Sequence, residues 1–264
     1  MAATRNLSAT AGAPSRPGRV AAIRIAIVVA VVALWEAASG SGLFYRDVIP
    51  SLRAIGRALA VLAVNADFYR HLGVSLMEVG QALAIGGGLG IATGLILGGS
   101  EFLSRAFERY LYYLGPTPKI IFFPVMIMWF GIGPASKVAL GALSCFFPIV
   151  LSVAAGMRQI DPVLISVGRS FHASPLQMAA KIHLPAMRQP ILNGVRLGFG
   201  VAVIATLLAE TKLSNAGIGY LIMQAYAVFD MPRMYAMLIV LFALAIAVNE
   251  LVGRYAGEPA AKGS

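Results

Sequence analysis

Side chains that could do chemistry are few in this sequence, and they are scattered. Glu36, Glu78, Lys119 and Glu210 each interrupt an apolar run, and an ionisable group at membrane depth is costly and therefore a functional suspect. Glu36 and Glu78 fall near the ends of their runs, from where a carboxylate can reach solvent. Glu210 has Lys212 and Arg233 close enough in sequence to pair with, which suits a structural or gating role before a ligand role. Lys119 follows Pro116 and Pro118, where a helix must break, and a cation there could attract an anionic solute or anchor at lipid headgroups. Met126, Met128, Trp129 and Phe130 are candidates to line a path, although apolar residues in a span usually serve packing. His172 and His183 lack a third ligand nearby, and His71 lies far from both, so no metal set is expected. No arrangement of nucleophile, base and oxyanion donors is visible, so no catalytic residue is expected either.

A second chemistry lies in the polar, basic stretch 158–190. Asp161 followed by Pro162 is a helix start, with a side-chain acceptor at the N-cap and a proline at the first helical position. That helix is expected to reach Phe171. Ser174 and Gln177 have capping-box spacing around Pro175 and open a second helix. It is expected to end near His183, where Pro185 stops it. The pair would present Arg158, Arg169, Lys181 and Arg188 between two apolar segments. A helix-turn-helix can read DNA, but tethering between spans and the few polar side chains speak against that. A connection this long with its own caps is more often functional than inert, and a surface for docking another protein fits best.

The elements that must position these residues are apolar helices. Of 264 residues, 59% are hydrophobic and 12% charged, far from the balance of a soluble domain, and the mean hydropathy is +0.80. Spans are expected over about 25–38, 72–97, 110–130, 137–157, 191–209 and 234–252, each near the roughly 20 residues that a bilayer requires. Residues 101–109 read as a short charged loop, and 52–64 as an amphipathic helix at the interface. The first span is read as retained rather than cleaved, because Trp35 and Glu36 do not suit a cleavage site. The net charge of +10 follows the positive-inside rule rather than a nucleic-acid face. With both termini inside, Arg5, Arg16, Arg19, Arg24, Arg105, Arg109, Lys119, Arg158, Arg169, Lys181, Arg188, Arg196, Arg254 and Lys262 are cytosolic. That is fourteen basic residues against seven outside: Arg46, Arg53, Arg57, Arg70, Lys137, Lys212 and Arg233. Gly86, Gly90, Gly94 and Gly98 make one bare ridge on the second span, and Gly194 and Gly198 repeat it on the fifth, devices for close helix packing. Cys145, the single cysteine, reads as a small buried apolar residue.

The basic stretch resembles the loop of ATP-binding-cassette (ABC) importer permeases, whose pattern is E-A-A-x-x-x-G, nine residues, then I-x-L-P. Ile182, Leu184 and Pro185 match its end, and nine residues separate His172 from Ile182, so the register is kept. Arg169, Ser170, Ala173 and Ser174 also look like family residues. Ser166 stands in place of the glutamate, Val167 and Gly168 in place of the alanines, and His172 in place of the glycine. Further stretches resemble the nitrate/sulfonate/taurine-type group: Trp35–Glu36, Ile49–Ser51, Pro116 to Lys137 with Trp129–Gly133, Phe146–Pro148, and Glu210 with Gly217–Leu221.

The resemblance implies an all-α, polytopic membrane protein of about six transmembrane helices with the type I ABC importer permease fold. Residues 1–20 would be a disordered cytosolic tail, 21–256 the permease domain with a cytosolic coupling loop at 158–190, and 257–264 a second tail. Ser166, Arg169, Ser170, His172, Ala173, Ser174, Ile182, Leu184 and Pro185 would form the ATPase-coupling loop. Lys119, Met126, Trp129 and Glu210 are the candidates for the translocation path. The implied partners are cytosolic ABC ATPase subunits, a second permease copy in a homodimer, an external solute-binding protein and membrane lipid, with no nucleic acid. No G-x-x-x-x-G-K-[ST] motif is present, so ATP and magnesium would belong to the partner and no cofactor to this chain. The expected location is a bacterial inner membrane with both termini cytosolic. A stand-alone secondary transporter or channel is the first alternative, though no internal repeat is visible; a membrane enzyme is the second. The solute would be small and anionic, of sulfonate, taurine or nitrate type, with bicarbonate and a pyrimidine precursor also open.

Overall fold

A computed structural model describes residues 17–43 and 48–255. Arg5, Arg16, Arg46, Lys262 and most of both expected tails lie outside the described residues. Helix α1 (Pro17–Gly40) begins on a proline, the residue preferred at the first helical position, so residues 17–20 of the expected tail are helical. Its residues are apolar on every side and almost wholly exposed from Ala21 on, as a helix in lipid can be. Near its end Trp35 donates from Nε1 to the Pro50 carbonyl at 3.0 Å. Glu36 accepts the backbone N–H of Leu52 at 3.1 Å. Glu36, exposed near the end of α1, thus also serves a helix start.

The rest of the chain folds as a second unit. Helix α2 (Leu52–Ala63) is amphipathic as expected and buries Ile55 and Leu62. Helix α3 (Ala66–Gly99) begins earlier than hydropathy suggests, because Asn65 accepts the N–H groups of Asp67 and Phe68 and caps it. Helix α4 (Glu101–Leu114) replaces the expected charged loop. Ser100 caps it by accepting from Leu103, and Glu101 pairs with Arg105 one turn on. The chain then breaks at Gly115–Pro118 and continues through a tight turn, Lys119–Phe122, into α5 (Phe123–Phe130). Prolines 116 and 118 offer no N–H to continue a helix, and the two arms meet at 88°.

Helix α6 (Pro134–Arg158) is the centre of the bundle. The glycine ridge of α3 lies along it: a Cβ on Gly86 would strike Ala142 and Cys145, one on Gly90 Ile149, one on Gly94 Val153, and one on Gly98 Met157. Helix α10 (Arg188–Lys212) covers another side of α6, with Gly194 against Ser152 and Gly198 against Ile149. Leu140, Cys145, Ile149, Val150 and Val153 are consequently sealed from solvent. Lipid supplies little hydrophobic drive between helices, so this close approach gains its stability from dispersion contacts.

Between α6 and α10 the chain forms α7 (Pro162–Ser170), α8 (Pro175–Met178), a wide π turn over Ala179–His183, and the single turn α9 (Leu184–Ala186). Helices α11 (Ile218–Ala227) and α12 (Met231–Tyr255) follow α10; α11 was not expected from hydropathy. Among the described residues five helices are long and apolar enough to cross a membrane, and the bent pair α4–α5 makes a sixth candidate.

The glycine ridge makes a direct prediction. Gly94→Ala places a Cβ 2.7 Å from Val153 Cβ and should destabilise the purified protein by roughly 1–3 kcal/mol through overpacking. Gly88→Ala meets nothing within 4 Å and should be neutral or stabilising by up to about 1 kcal/mol from helix propensity. Thermal unfolding of both variants in detergent compares them, and equal midpoints would refute the ridge as a packing surface.

Candidate coupling platform and membrane path

Local chemistry shapes the platform between α6 and α10. Asp161 accepts the N–H of Val163 at 2.8 Å, with Pro162 at the first helical position. Ser174 and Gln177 cap one another: the Ser174 N–H donates to Gln177 Oε1 at 2.9 Å, and the Gln177 N–H to Ser174 Oγ at 3.3 Å. Between the two helices His172 takes a left-handed backbone, φ 51°, and the Ala173 N–H donates to the Gly168 carbonyl at 3.0 Å. A side chain in that conformation costs roughly 1–2 kcal/mol, which explains why the glycine of the resembling motif suits this position. Gly168 is buried where α7 meets Met178 and Ile182, and a Cβ there would overlap both.

Pro185 does not stop the second helix. Its missing N–H leaves the Lys181 carbonyl without the usual partner, and the chain widens so that the Leu184 N–H reaches back five residues to Ala179. The Met187 N–H then bonds the His183 carbonyl, the Ile191 N–H bonds the Met187 carbonyl, and the path into α10 stays helical. The platform is therefore joined almost without slack to α10 at one end. At its other end only Gln159 and Ile160 separate Arg158 from the Asp161 cap.

The sequence suggests a basic platform surface; the structure adds an apolar one. Val163, Val167 and Phe171 follow one another at four-residue spacing along α7, all exposed, with Phe171 at 81%. Leu164 and Leu184 are also exposed. Arg169, Ser170, His172 and Ser174 lie at the surface, and Ala173 and Ile182 are half-buried. Ser166 and Ser170 are exposed, but their hydroxyls donate back to the Pro162 and Ser166 carbonyls at 2.9 and 3.0 Å. An exposed apolar patch rimmed by polar residues marks an interaction site.

The expected path residues are placed in different surroundings. Lys119 is half-buried at the break of the bent segment, bonded to the Gly115 carbonyl and 4.7 Å from the centre of the Phe147 ring. Met126 packs with Phe123 and Leu140 in an apolar cluster. Trp129 is 72% exposed on α5, beside exposed Met128 and Phe130.

Glu210 belongs to a buried polar cluster that ties α11 to α3, α6 and α10. Glu78, Lys137 and Glu210 are each 1% exposed. The Lys137 ammonium donates to the carbonyls of Ile132 and Gly133, both at 3.2 Å, and stands 3.9 Å from the Glu78 carboxyl. The first N–H groups of α11, which a helix cannot satisfy internally, go to side chains. The Gly217 N–H donates to His71 Nδ1 at 3.0 Å, Ile218 to Ser75 Oγ at 2.8 Å, and Gly219 to Glu210 Oε2 at 2.6 Å. Gly217, at φ 102°, leaves no room for a Cβ beside the Glu210 carboxyl. Glu78 is thus buried rather than solvated at a span end. Glu210 faces α11 and Ser75 rather than Lys212 or Arg233. These partners lie up to 146 positions apart in the chain, beyond any local sequence signal.

Comparisons with known proteins agree with this architecture. Residues 86–255 match the family described as binding-protein-dependent transport system inner membrane component. An aliphatic sulfonates transport permease protein of Escherichia coli (strain K12), SsuC, is 33% identical over 82% of this chain and 82% of its own length. Its namesake from Bacillus subtilis (strain 168) is 30% identical over 80% of this chain and 76% of its own. The taurine transport system permease protein TauC of Escherichia coli (strain K12) is 31% identical over 61% of this chain and 59% of its own. The fold is similar to a chain of the MetNI methionine ABC transporter solved in inward-facing conformations. The TM-score is 0.57 at 17% identity, over 78% of this chain and 94% of that one.

The left-handed residue yields a second prediction. His172→Gly should raise stability by about 1 kcal/mol, and His172→Val should lower it. Thermal unfolding midpoints of the two variants check the sign, and a drop for the glycine variant would contradict the strain at this turn.

Proposed function

The chain belongs to the ABC importer permeases of the sulfonate/taurine/nitrate type, and from that premise we propose that it couples the passage of a small anion to a separate cytosolic ATPase through the platform 158–190. The observation that carries this reading is the apolar stripe Val163–Val167–Phe171 beside Arg169, on a platform held by short connections to α6 and α10. An amphipathic helix laid in a groove of a partner moves as a rigid body when the groove moves. Here such a displacement reaches two spans directly.

The platform end faces the cytosol in this proposal. Helix α12 returns towards the same end, since Arg196 near the start of α10 bonds Asn249 near the end of α12 at 2.8 Å, which supports this orientation together with the positive-inside rule. The exposed face of α5, with Met128, Trp129 and Phe130, suits a second copy of the chain across a central path. The solute is a sulfonate such as taurine, delivered by an external binding protein. Two relatives are named for aliphatic sulfonates and one for taurine, and Lys119 at the bend supplies a cation held by an aromatic face.

Co-purification with the cognate ATPase tests the docking site. Arg169→Glu should weaken association about tenfold, equivalent to about 1.4 kcal/mol, and Ser166→Glu should preserve or strengthen it. Unchanged association of the Arg169 variant would remove the platform from the contact, and uptake by the purified chain alone without ATP would defeat the importer reading. Lys119→Met should raise the KM for taurine uptake about tenfold, the loss of one favourable charge contact, with ATPase association unaltered. An unchanged KM would take Lys119 out of the solute path.

A further inference from the structure

Arg158 is the last residue of α6 and stands three positions before Asp161, which opens the platform. Its guanidinium turns sideways to α4. It grips both oxygens of Glu108, with Nη2 to Oε1 at 2.6 Å, and donates from Nη1 to Ser104 Oγ at 2.7 Å. Ser104 in turn donates to Glu108 Oε2 at 2.7 Å. Ser104 is buried, and the Glu108 and Arg158 side chains are 17% and 38% exposed. This differs from the exposed pairs of the same chain, Arg70–Asp67 and Arg105–Glu101, whose side chains are more than half open to solvent. Those are of the kind worth little. A planar fork on a carboxylate fixes direction as well as distance, and the serine closes the third side.

The position of this clamp gives it a use. Helix α4 meets α3 through the single extended residue Ser100. At its far end α4 leads over Gly115–Pro118 to Lys119. The clamp binds that arm to the very end of α6 from which the platform departs. We propose that Arg158, Ser104 and Glu108 form a positioning contact that carries displacement of the coupling platform to the bent segment α4–α5, so that the arm leading to Lys119 moves with the platform. This rests on the importer reading given above.

The test uses the complete importer, reconstituted in vesicles with its ATPase and binding protein, with taurine and ethanesulfonate as probes. Uptake and ATP hydrolysis are measured together, so that their ratio reports coupling. Glu108→Gln and Arg158→Lys should leave hydrolysis within about twofold while lowering uptake per ATP at least about fivefold, the low end of ordinary coupling energies. The exchange Glu108→Arg with Arg158→Glu should bring the ratio back towards that of the unaltered complex. A merely stabilising pair would lower uptake and hydrolysis together, with their ratio preserved. That outcome, or an unaltered ratio in both single variants, overturns the proposal. Failure of the unaltered complex to take up either sulfonate with ATP would instead sink the proposed coupling of sulfonate passage to the ATPase, and the clamp that rests on it.

Discussion

The whole bundle depends on how closely α6 is approached. Glycines on α3 and α10 remove the side chains that would hold their backbones away, and Ile149 fills the space between Gly90 and Gly198. In lipid an apolar side chain gains little by leaving one apolar neighbour for another, so only tight packing distinguishes the assembled helices from separated ones. Once α6 is held along both faces, its two ends are fixed as well. One end carries Lys137 into the polar cluster with Glu78, and the other carries Arg158 into the clamp with Glu108. The charged groups that matter most are those a rigid central helix delivers.

The two ends treat charge differently. At the Lys137 end the groups are sealed from solvent, where desolvation is expensive and a missing partner costs several kcal/mol. Within the cluster Lys137 is tied to two backbone carbonyls and Glu210 to a backbone N–H of α11, which leaves α11 little freedom. At the Arg158 end the charged groups remain partly open to solvent, so their desolvation cost is smaller while the bidentate fork still fixes the geometry.

Much of this was legible in the sequence because it follows from local rules. Hydropathy located the five long apolar helices but not the bent segment read as a span over 110–130, four-residue spacing exposed the glycine ridge, and Asp161, Ser174 and Gln177 announced their caps. What escaped depends on contacts across the chain or on register. Helix α4 is too charged for hydropathy to mark, yet its Ser100 cap and its Glu101–Arg105 spacing make it a helix. Helix α11 starts on donors satisfied by nearby Glu210 and by His71 and Ser75, the last two 146 and 143 positions away and outside any window around residue 217. Pro185 looked like a stop because the rule for proline assumes a four-residue hydrogen-bond ladder; a single π turn removes the conflict. Glu78 and Glu210 are legible as costly residues, but Lys137 counts only as an outer basic residue in the sequence, and its burial beside Glu78 is not legible there.

The departures at Ser166 and His172 bear on how the platform would hold a partner. With serine in place of glutamate, and its hydroxyl turned back to Pro162, that position offers no outward charge. What it leaves is Val163, Val167 and Phe171, with Arg169 at the edge. Covering a valine or phenylalanine side chain is worth about 1.5–3 kcal/mol each, whereas an exposed ion pair contributes roughly 0–1 kcal/mol. On that scale, in the proposed docking, the apolar stripe would supply the affinity and Arg169 the orientation. His172 turns the chain between α7 and α8 through a left-handed backbone, and Phe171 beside it is 81% exposed. Where the family motif has glutamate this chain has serine, and the surface beside it is an exposed apolar stripe, the kind of face that an apolar groove would accept.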